Sequence, residues 1–289
     1  METRILRHNN NNSTAIRCTP SSISLLLLVM SSILLPTTNA MTEIDMGTTL
    51  VALKFDNGVV VGADTRTSAS GYVSNKLAQK IHKITSPAME DEKDNDNGSD
   101  DDDDDSLSCV ICRSGSAADT QWLCQELTTD LWERKYRYCQ KTSVRQVAHF
   151  LRHLMRQQGE SSLQASLICA GCDEQEAKIF TIAPSGTLLE EDVFAVSGSG
   201  STILLGHLDS LKMSMTKGDD GLYSEEEAVE LVTKLLRLSI ERDGSSGGLI
   251  RLVVMQKGKK LREITVYPDA PSSTQLEMNI PGFANAEAI

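Results

Sequence analysis

From residue 50 onward the chain alternates between two hydrophobic rhythms, and each change of rhythm marks a new element. Residues 50–55 are apolar and rich in strand formers, Asp56-Asn57-Gly58 makes a tight turn, and residues 59–63 return, which predicts a β-hairpin. A further hairpin is expected around Tyr72, and the run at 107–112 reads as a strand. The period then lengthens. Ser116 with Asp119 three residues on predicts a helix start, followed by Trp122, Leu123, Leu127 and Leu131 at helical spacing. Ser143 with Gln146 opens a second helix bearing Val147, Leu151, Leu154 and Met155. Strands at 163–170 and 178–183 follow, then two shorter ones near Thr187 and Phe194. Ser224 with Glu227 opens a third long helix through Leu231, Leu235 and Leu238, and strands at 249–255 and 262–267 close the pattern. Blocks of strands alternating with blocks of helices imply an α+β protein, with two sheets and helices covering the outside.

A chain of 289 residues with 40% apolar content is long enough to bury one large core or two modest ones. Its formal charge of −12 is local, because the stretch from Glu90 to Asp105 holds eleven acids against one lysine. The remainder is nearly neutral and lacks the basic face that a nucleic-acid partner requires. The acidic run is low in complexity and cannot pack, so residues 88–106 read as a solvated insertion between structured segments. Alternating Asp and Asn raise a calcium site as an alternative, but the Gly and terminal Glu of an EF-hand loop are missing at their offsets.

Ahead of the first strand, Arg4, Arg7 and Arg17 precede SISLLLLVMSSILL, and Thr38-Asn39-Ala40 resembles a signal-peptidase site. The apolar core is short and broken by serine, unlike a membrane span. Three readings stay open for this segment: a secretory or organellar signal, a disposable propeptide, or an upstream extension of a chain that starts at Met41. Composition favours the signal. The seven cysteines favour the other two, since they form no small-domain disulfide framework. Two Cys-x-x-Cys pairs, Cys109 with Cys112 and Cys169 with Cys172, raise a zinc site. Both pairs sit in apolar strand-like runs, where residues three apart point to opposite faces, and this argues against a shared metal. His149 and His153 share a helix face with no third ligand indicated and read as a surface pair.

The most chemically informative position is Gly47-Thr48, where the first strand begins. A threonine hydroxyl is a weak nucleophile without a base in hydrogen-bond reach, and an α-amino group, with a pKa of about 8, is such a base. A chain cut after Gly47 would carry both groups on one residue. While Gly47 is attached, the nitrogen is an amide and cannot accept a proton, so the uncut chain is expected to be inert. Glycine ahead of the nucleophile has no Cβ to shield its carbonyl from the Thr48 hydroxyl. Alone, a Gly-Thr pair most often simply opens a strand.

The segments TTLVALKFDNGVVVGADTRTS, CRSGSAADTQ, SGSGST and ERDGSSGG, in that order, resemble the catalytic β subunits of the eukaryotic 20S proteasome. The resemblance runs from Thr48 to about Tyr267. It implies the N-terminal-nucleophile hydrolase fold, a four-layer αββα sandwich, over residues 48–289, with 1–47 as a leader or propeptide cut at Gly47-Thr48. It implies roles for single residues as well. Thr48 matches the nucleophile; Lys80 matches a lysine whose charge lowers the pKa of the Thr48 hydroxyl and amine; Asp64 matches the acid that holds this lysine. Ser199, Asp243 and Ser246 match the polar group that positions the amine and a water. Gly115 matches the glycine whose N–H stabilises the tetrahedral oxyanion. Each position also has an ordinary reading: Lys80 as an exposed lysine, Asp64 as a turn residue beside Arg66, Ser199 as a helix cap, and 243–248 as a flexible turn.

Arg113, just ahead of SGSAAD, resembles the residue that marks the caspase-like, post-acidic type, where a guanidinium pairs with an acidic side chain at substrate P1. Its ordinary alternative is a strand-end arginine reaching for water. Thr67, Ser68 and Ala117 resemble residues that line the pocket or bond the substrate backbone. The resemblance further implies a threonine endopeptidase without cofactor or metal, acting on unfolded polypeptides. It implies assembly with other α and β subunits in a heteroheptameric β ring of a 28-subunit core, residence in cytoplasm and nucleus, and no membrane attachment once mature. Two other classes stay open: a ring subunit without catalysis, and an N-terminal-nucleophile amidase acting on a small molecule.

Overall fold

The structure is a computed structural model, and it describes residues 47–69, 72–84, 108–138, 142–157, 163–173, 176–215 and 223–269. The chain divides into two units, Met1–Glu43 and Ile44–Ile289, and every described residue lies in the second. The leader ahead of Gly47, the acidic insertion 88–106 with its calcium alternative, and the tail beyond residue 269 lie outside the described residues.

Two five-stranded antiparallel sheets carry the fold. The first contains β1 (Leu50–Phe55), β2 (Gly58–Asp64), β10 (Phe194–Ser197), β11 (Ile250–Gln256) and β12 (Arg262–Val266), in the order β10-β1-β2-β11-β12. The second is β5 (Ile81–Ile84), β6 (Ser108–Gly115), β7 (Ala165–Cys172), β8 (Ala177–Ile182) and β9 (Leu188–Glu191), in chain order. A short hairpin, β3 (Thr67–Ala69) with β4 (Tyr72–Asn75), stands apart, as expected around Tyr72. The helices are α1 (Ala117–Tyr138), α2 (Val144–Gln157), α3 (Ser201–Met215) and α4 (Glu225–Arg242).

Three apolar clusters define the layers. Val51, Leu53 and Phe55 of β1 pack with Leu204 and Leu208 of α3 and with Val232 and Leu236 of α4. Leu50 and Ala52, the alternate residues of the same strand, pack with Val110, Ile168 and Ile179 of the other sheet. Beyond that sheet, Ile111, Leu167 and Phe180 meet Leu123 and Leu127 of α1 and Val147 and Leu151 of α2. The layers therefore run helices, sheet, sheet, helices, which is the four-layer αββα sandwich. Burial of the strands on both faces explains why β1 and β2 read as near-continuous apolar runs rather than as alternating ones.

Several elements differ from the sequence expectation. β6 runs three residues past Cys112 and so includes Arg113 and Gly115 as strand residues. The two short strands near Thr187 and Phe194 enter different sheets, β9 beside β8 and β10 beside β1. Helix α3 has no counterpart in the predicted pattern. Gly206 lies inside it, and its first turn has no acidic residue to mark a start. In α4 the fully buried stripe is Ala228, Val229, Val232, Leu235, Leu236 and Ser239, while Leu231 and Leu238 pack at its edge. Of the three expected capping boxes, Ser224/Glu227 and Ser143/Gln146 form reciprocally. At Ser116 only half forms, because the Asp119 carboxylate accepts from the Gln164 N–H instead. Across the acidic insertion β5 and β6 still pair in register, Ile84 opposite Cys109.

Candidate active site

Residue 48 sits where the first strand begins, between two backbone segments that approach it too closely for side chains. A Cβ on Gly47 would lie 2.0 Å from the Ser245 carbonyl oxygen, and one on Gly198 would lie 2.1 Å from the Thr48 carbonyl oxygen. Gly198 also adopts φ +90°, a conformation that favours glycine. The glycine ahead of Thr48 is thus a packing requirement as well as an open carbonyl. Thr48 is 5% exposed, and its hydroxyl donates to the Gly47 carbonyl oxygen at 2.7 Å.

Beside that carbonyl lies a buried ion pair. Asp64, the last residue of β2, is fully buried and accepts from Lys80 Nζ at 2.7 Å and from the Thr49 N–H at 2.9 Å through one oxygen. Its other oxygen accepts from the Gly247 and Arg66 N–H groups at 3.0 and 3.3 Å. Lys80, 7% exposed and immediately ahead of β5, also donates to the Gly47 carbonyl oxygen at 3.0 Å. Neither residue is the surface lysine or simple turn residue of the ordinary readings. Burial pushes the Lys80 ammonium's pKa below its ordinary value, and the Asp64 carboxylate opposes that shift. The loop before Lys80 is pinned because Thr65 Oγ1 donates to the Lys76 carbonyl, and the Ala78 N–H donates to the Thr65 carbonyl.

On the opposite flank, the Thr48 N–H donates to Ser199 Oγ at 3.2 Å. Ser199, in the turn between β10 and α3, donates in turn to Asp243 Oδ2 at 2.7 Å. Asp243 caps the end of α4, and Ser246 donates to the same oxygen at 2.6 Å. Partial burial raises the pKa of the Asp243 carboxyl, but the Ser246 and Ser199 hydroxyls and neighbouring backbone N–H groups outweigh it and hold the group below its ordinary value.

The remaining predicted residues lie around this centre. The Arg113 N–H donates to the Lys80 carbonyl at 2.8 Å, and its guanidinium donates to the Gln79 carbonyl at 2.5 Å while its Nε has no partner among the described residues. Gly115 ends β6 and Ala117 begins α1. Strand β6 is linked to the Thr48 flank by the Ser114 and Ser197 hydroxyls, 3.1 Å apart. Ser68 Oγ donates to the Ser245 carbonyl at 3.3 Å, whereas Thr67 serves the β3–β4 hairpin, its carbonyl accepting from Ser74. Sequence reasoning missed Thr49, Ser239 and Ser245. The signals available for them were a second Thr after Thr48 and a polar residue in the apolar stripe of a helix.

The cysteine pairs divide between layers. Cys109 and Cys169 face the helices and Cys112 and Cys172 lie between the sheets. Burial raises the Cys112 thiol and pushes Cys172 up to about 11. Among the described residues, no three His, Cys, Asp or Glu are grouped to hold a metal, and no helix is long and apolar enough to cross a membrane. His149 and His153 are exposed on α2.

A four-layer sandwich with a threonine, a lysine and an aspartate gathered where its first strand begins defines the N-terminal-nucleophile hydrolase fold. The Proteasome subunit family matches residues 44–89 and 106–255. A proteasome subunit beta type-6 from Arabidopsis thaliana is 36% identical over 212 residues, covering 73% of this chain and 78% of its own length. A probable proteasome subunit beta type-1 from Schizosaccharomyces pombe is 35% identical, covering 74% and 82%. Proteasome subunit beta type-1 from Saccharomyces cerevisiae is 30% identical, covering 78% and 91%. The chain belongs to the proteasome subunit family, as a β-type member.

Proposed function

We propose that this chain is a catalytic β subunit of the 20S proteasome core, a threonine endopeptidase whose nucleophile, Thr48, is exposed by self-cleavage after Gly47. The observation that carries the reading is the placement of the Thr48 hydroxyl and the Lys80 ammonium on one carbonyl oxygen, that of Gly47. In the uncut chain, Thr48 Oγ1 attacks the Gly47 carbonyl carbon while Lys80 stabilises the oxyanion. The C–N bond breaks, and the hydroxyl proton ends on the freed amine. Water then hydrolyses the resulting ester and releases the leader.

In the cut enzyme the Thr48 amine accepts the hydroxyl proton and passes it to the leaving amine of the substrate peptide. Asp64 keeps Lys80 charged and in place. Ser199, Asp243 and Ser246 hold the amine, and the Gly115 N–H receives the oxyanion. Arg113, beside Lys80 in β6, supplies a cation for an acidic P1 side chain, with Thr67, Ser68 and Ala117 along the substrate. No cofactor takes part. The working particle contains the other α and β subunits in a 28-subunit core and resides in cytoplasm and nucleus.

Particles assembled with this chain are expected to cleave acidic-P1 peptides, and those carrying Thr48→Ala are not. Replacing Arg113 with Met should lower kcat/KM for acidic P1 by about 1.5–3 kcal/mol, on the order of ten- to a hundredfold, as expected for a charge-assisted hydrogen bond. Unchanged rates on acidic-P1 peptides would refute the specificity assignment.

A further inference from the structure

Asp243 is the meeting point of two hydroxyl chains, and only one of them reaches Thr48 directly. The other runs inward. Ser246 Oγ lies 2.7 Å from Thr49 Oγ1, which lies 2.5 Å from Ser239 Oγ on the buried face of α4. Thr49 and Ser239 are fully buried and Ser246 is nearly so. A Cβ on Gly200 would lie 2.1 Å from both Ser239 Oγ and Thr49 Oγ1, so the Gly200 backbone covers the pair on that side.

Proton counting fixes the direction of this chain. Each hydroxyl has one proton, and an ionised carboxylate only accepts. Ser246 gives its proton to Asp243, so it must accept from Thr49. Thr49 has then used its proton, so it accepts from Ser239. Ser239, Thr49 and Ser246 therefore all point toward Asp243, and each bond polarises the next. Ser239 also holds Asp243 from behind, because its backbone carbonyl accepts the Asp243 N–H at 2.7 Å.

We infer that Ser239 and Thr49 are positioning residues of the active site: they commit the Ser246 proton to Asp243 and leave Ser199 as the single route between Asp243 and the Thr48 nitrogen. This inference rests on the catalytic reading above. Asp243 interacts electrostatically with Lys80, on which Asp64 and Arg66 also act, and after cleavage the Thr48 amine adds a charge on the same side. Among the described residues, the Ser246 hydroxyl is held between Asp243, which accepts its proton, and Thr49, which donates to it.

The test uses assembled particles and kcat per active site, counted with a covalent threonine-directed inhibitor, on whichever peptide the wild type turns over fastest. Ser239→Ala is expected to lower kcat about three- to tenfold with KM unchanged, the scale of one polarised hydrogen bond. That loss should vanish in a Ser246→Ala background, since Ser239 acts through Ser246. Thr49→Val should reproduce the loss and Thr49→Ser, which keeps the hydroxyl, should reverse it. An additive Ser239 effect on top of Ser246→Ala, or equal behaviour of Thr49→Val and Thr49→Ser, would overturn the inference. Wild-type particles that expose Thr48 yet hydrolyse no peptide would overturn the catalytic reading, and the inference with it.

Discussion

Lys80 holds its charge in a place that disfavours charge, and Asp64, the Gly47 carbonyl and the charge of Asp243 compensate for the lost water. Removing it by Lys80→Ala strands a fully buried carboxylate, which costs about 3–5 kcal/mol. The expected result is a lower melting temperature together with an uncut Gly47-Thr48 bond by mass spectrometry; a stable, fully processed variant would argue against the pairing. The lowered pKa of Lys80 also fixes the sign of a pH effect. Because its folded pKa lies below the unfolded one, rising pH favours the folded state across that interval while it removes the cation that the proposed catalysis uses. Activity should therefore fall on the alkaline side below the ordinary lysine range, in a kcat–pH profile, with no loss of fold by circular dichroism. Asp64, Lys80 and Ser199 were legible in the sequence because they match segments of a recognisable pattern. Thr49 and Ser239 were not, because strand and helix periodicity assigns both to apolar layers and carries no information about which hydroxyls meet across them.

Helix α4 positions Asp243 by ending where it does, so its start and stop both bear on the site. Its capping box places Ser224 Oγ on the Glu227 N–H and the Glu227 carboxylate on the Ser224 N–H. Ser224→Ala should cost about 1 kcal/mol of stability, measured by denaturant unfolding; a change of a few tenths would mean that packing alone sets the helix start. Such pairs made three of the helices, α1, α2 and α4, readable from sequence, although at Ser116 only half of the box forms. Helix α3 escaped because it begins at Ser201 within the Gly-Ser run that also builds the site, and the same residues read equally well as a loop. The two short strands were found but not their partners, since β9 and β10 join sheets that periodicity cannot tell apart.

On the scale of the molecule, the stacking of two sheets between helix layers brings the end of β2, the approach to β5 and the end of α4 to one point at the start of β1. The order of strand and helix blocks implied this architecture. The contact between layers that makes the site came from the family resemblance rather than from the pattern. Pairing of Ile84 with Cys109 closes the β5–β6 ladder independently of the acidic run between them. Replacing residues 88–106 by a short Gly-Ser turn should therefore leave stability within about 1 kcal/mol, since loop length enters closure entropy only logarithmically; thermal unfolding of the shortened chain checks this. The central claim is that the 289-residue chain is a silent precursor whose working form begins at its nucleophile. Intact mass and N-terminal sequencing of the subunit from active particles test it most directly. The account predicts Thr48 as the first residue; a terminus at Met41 with full activity would contradict it.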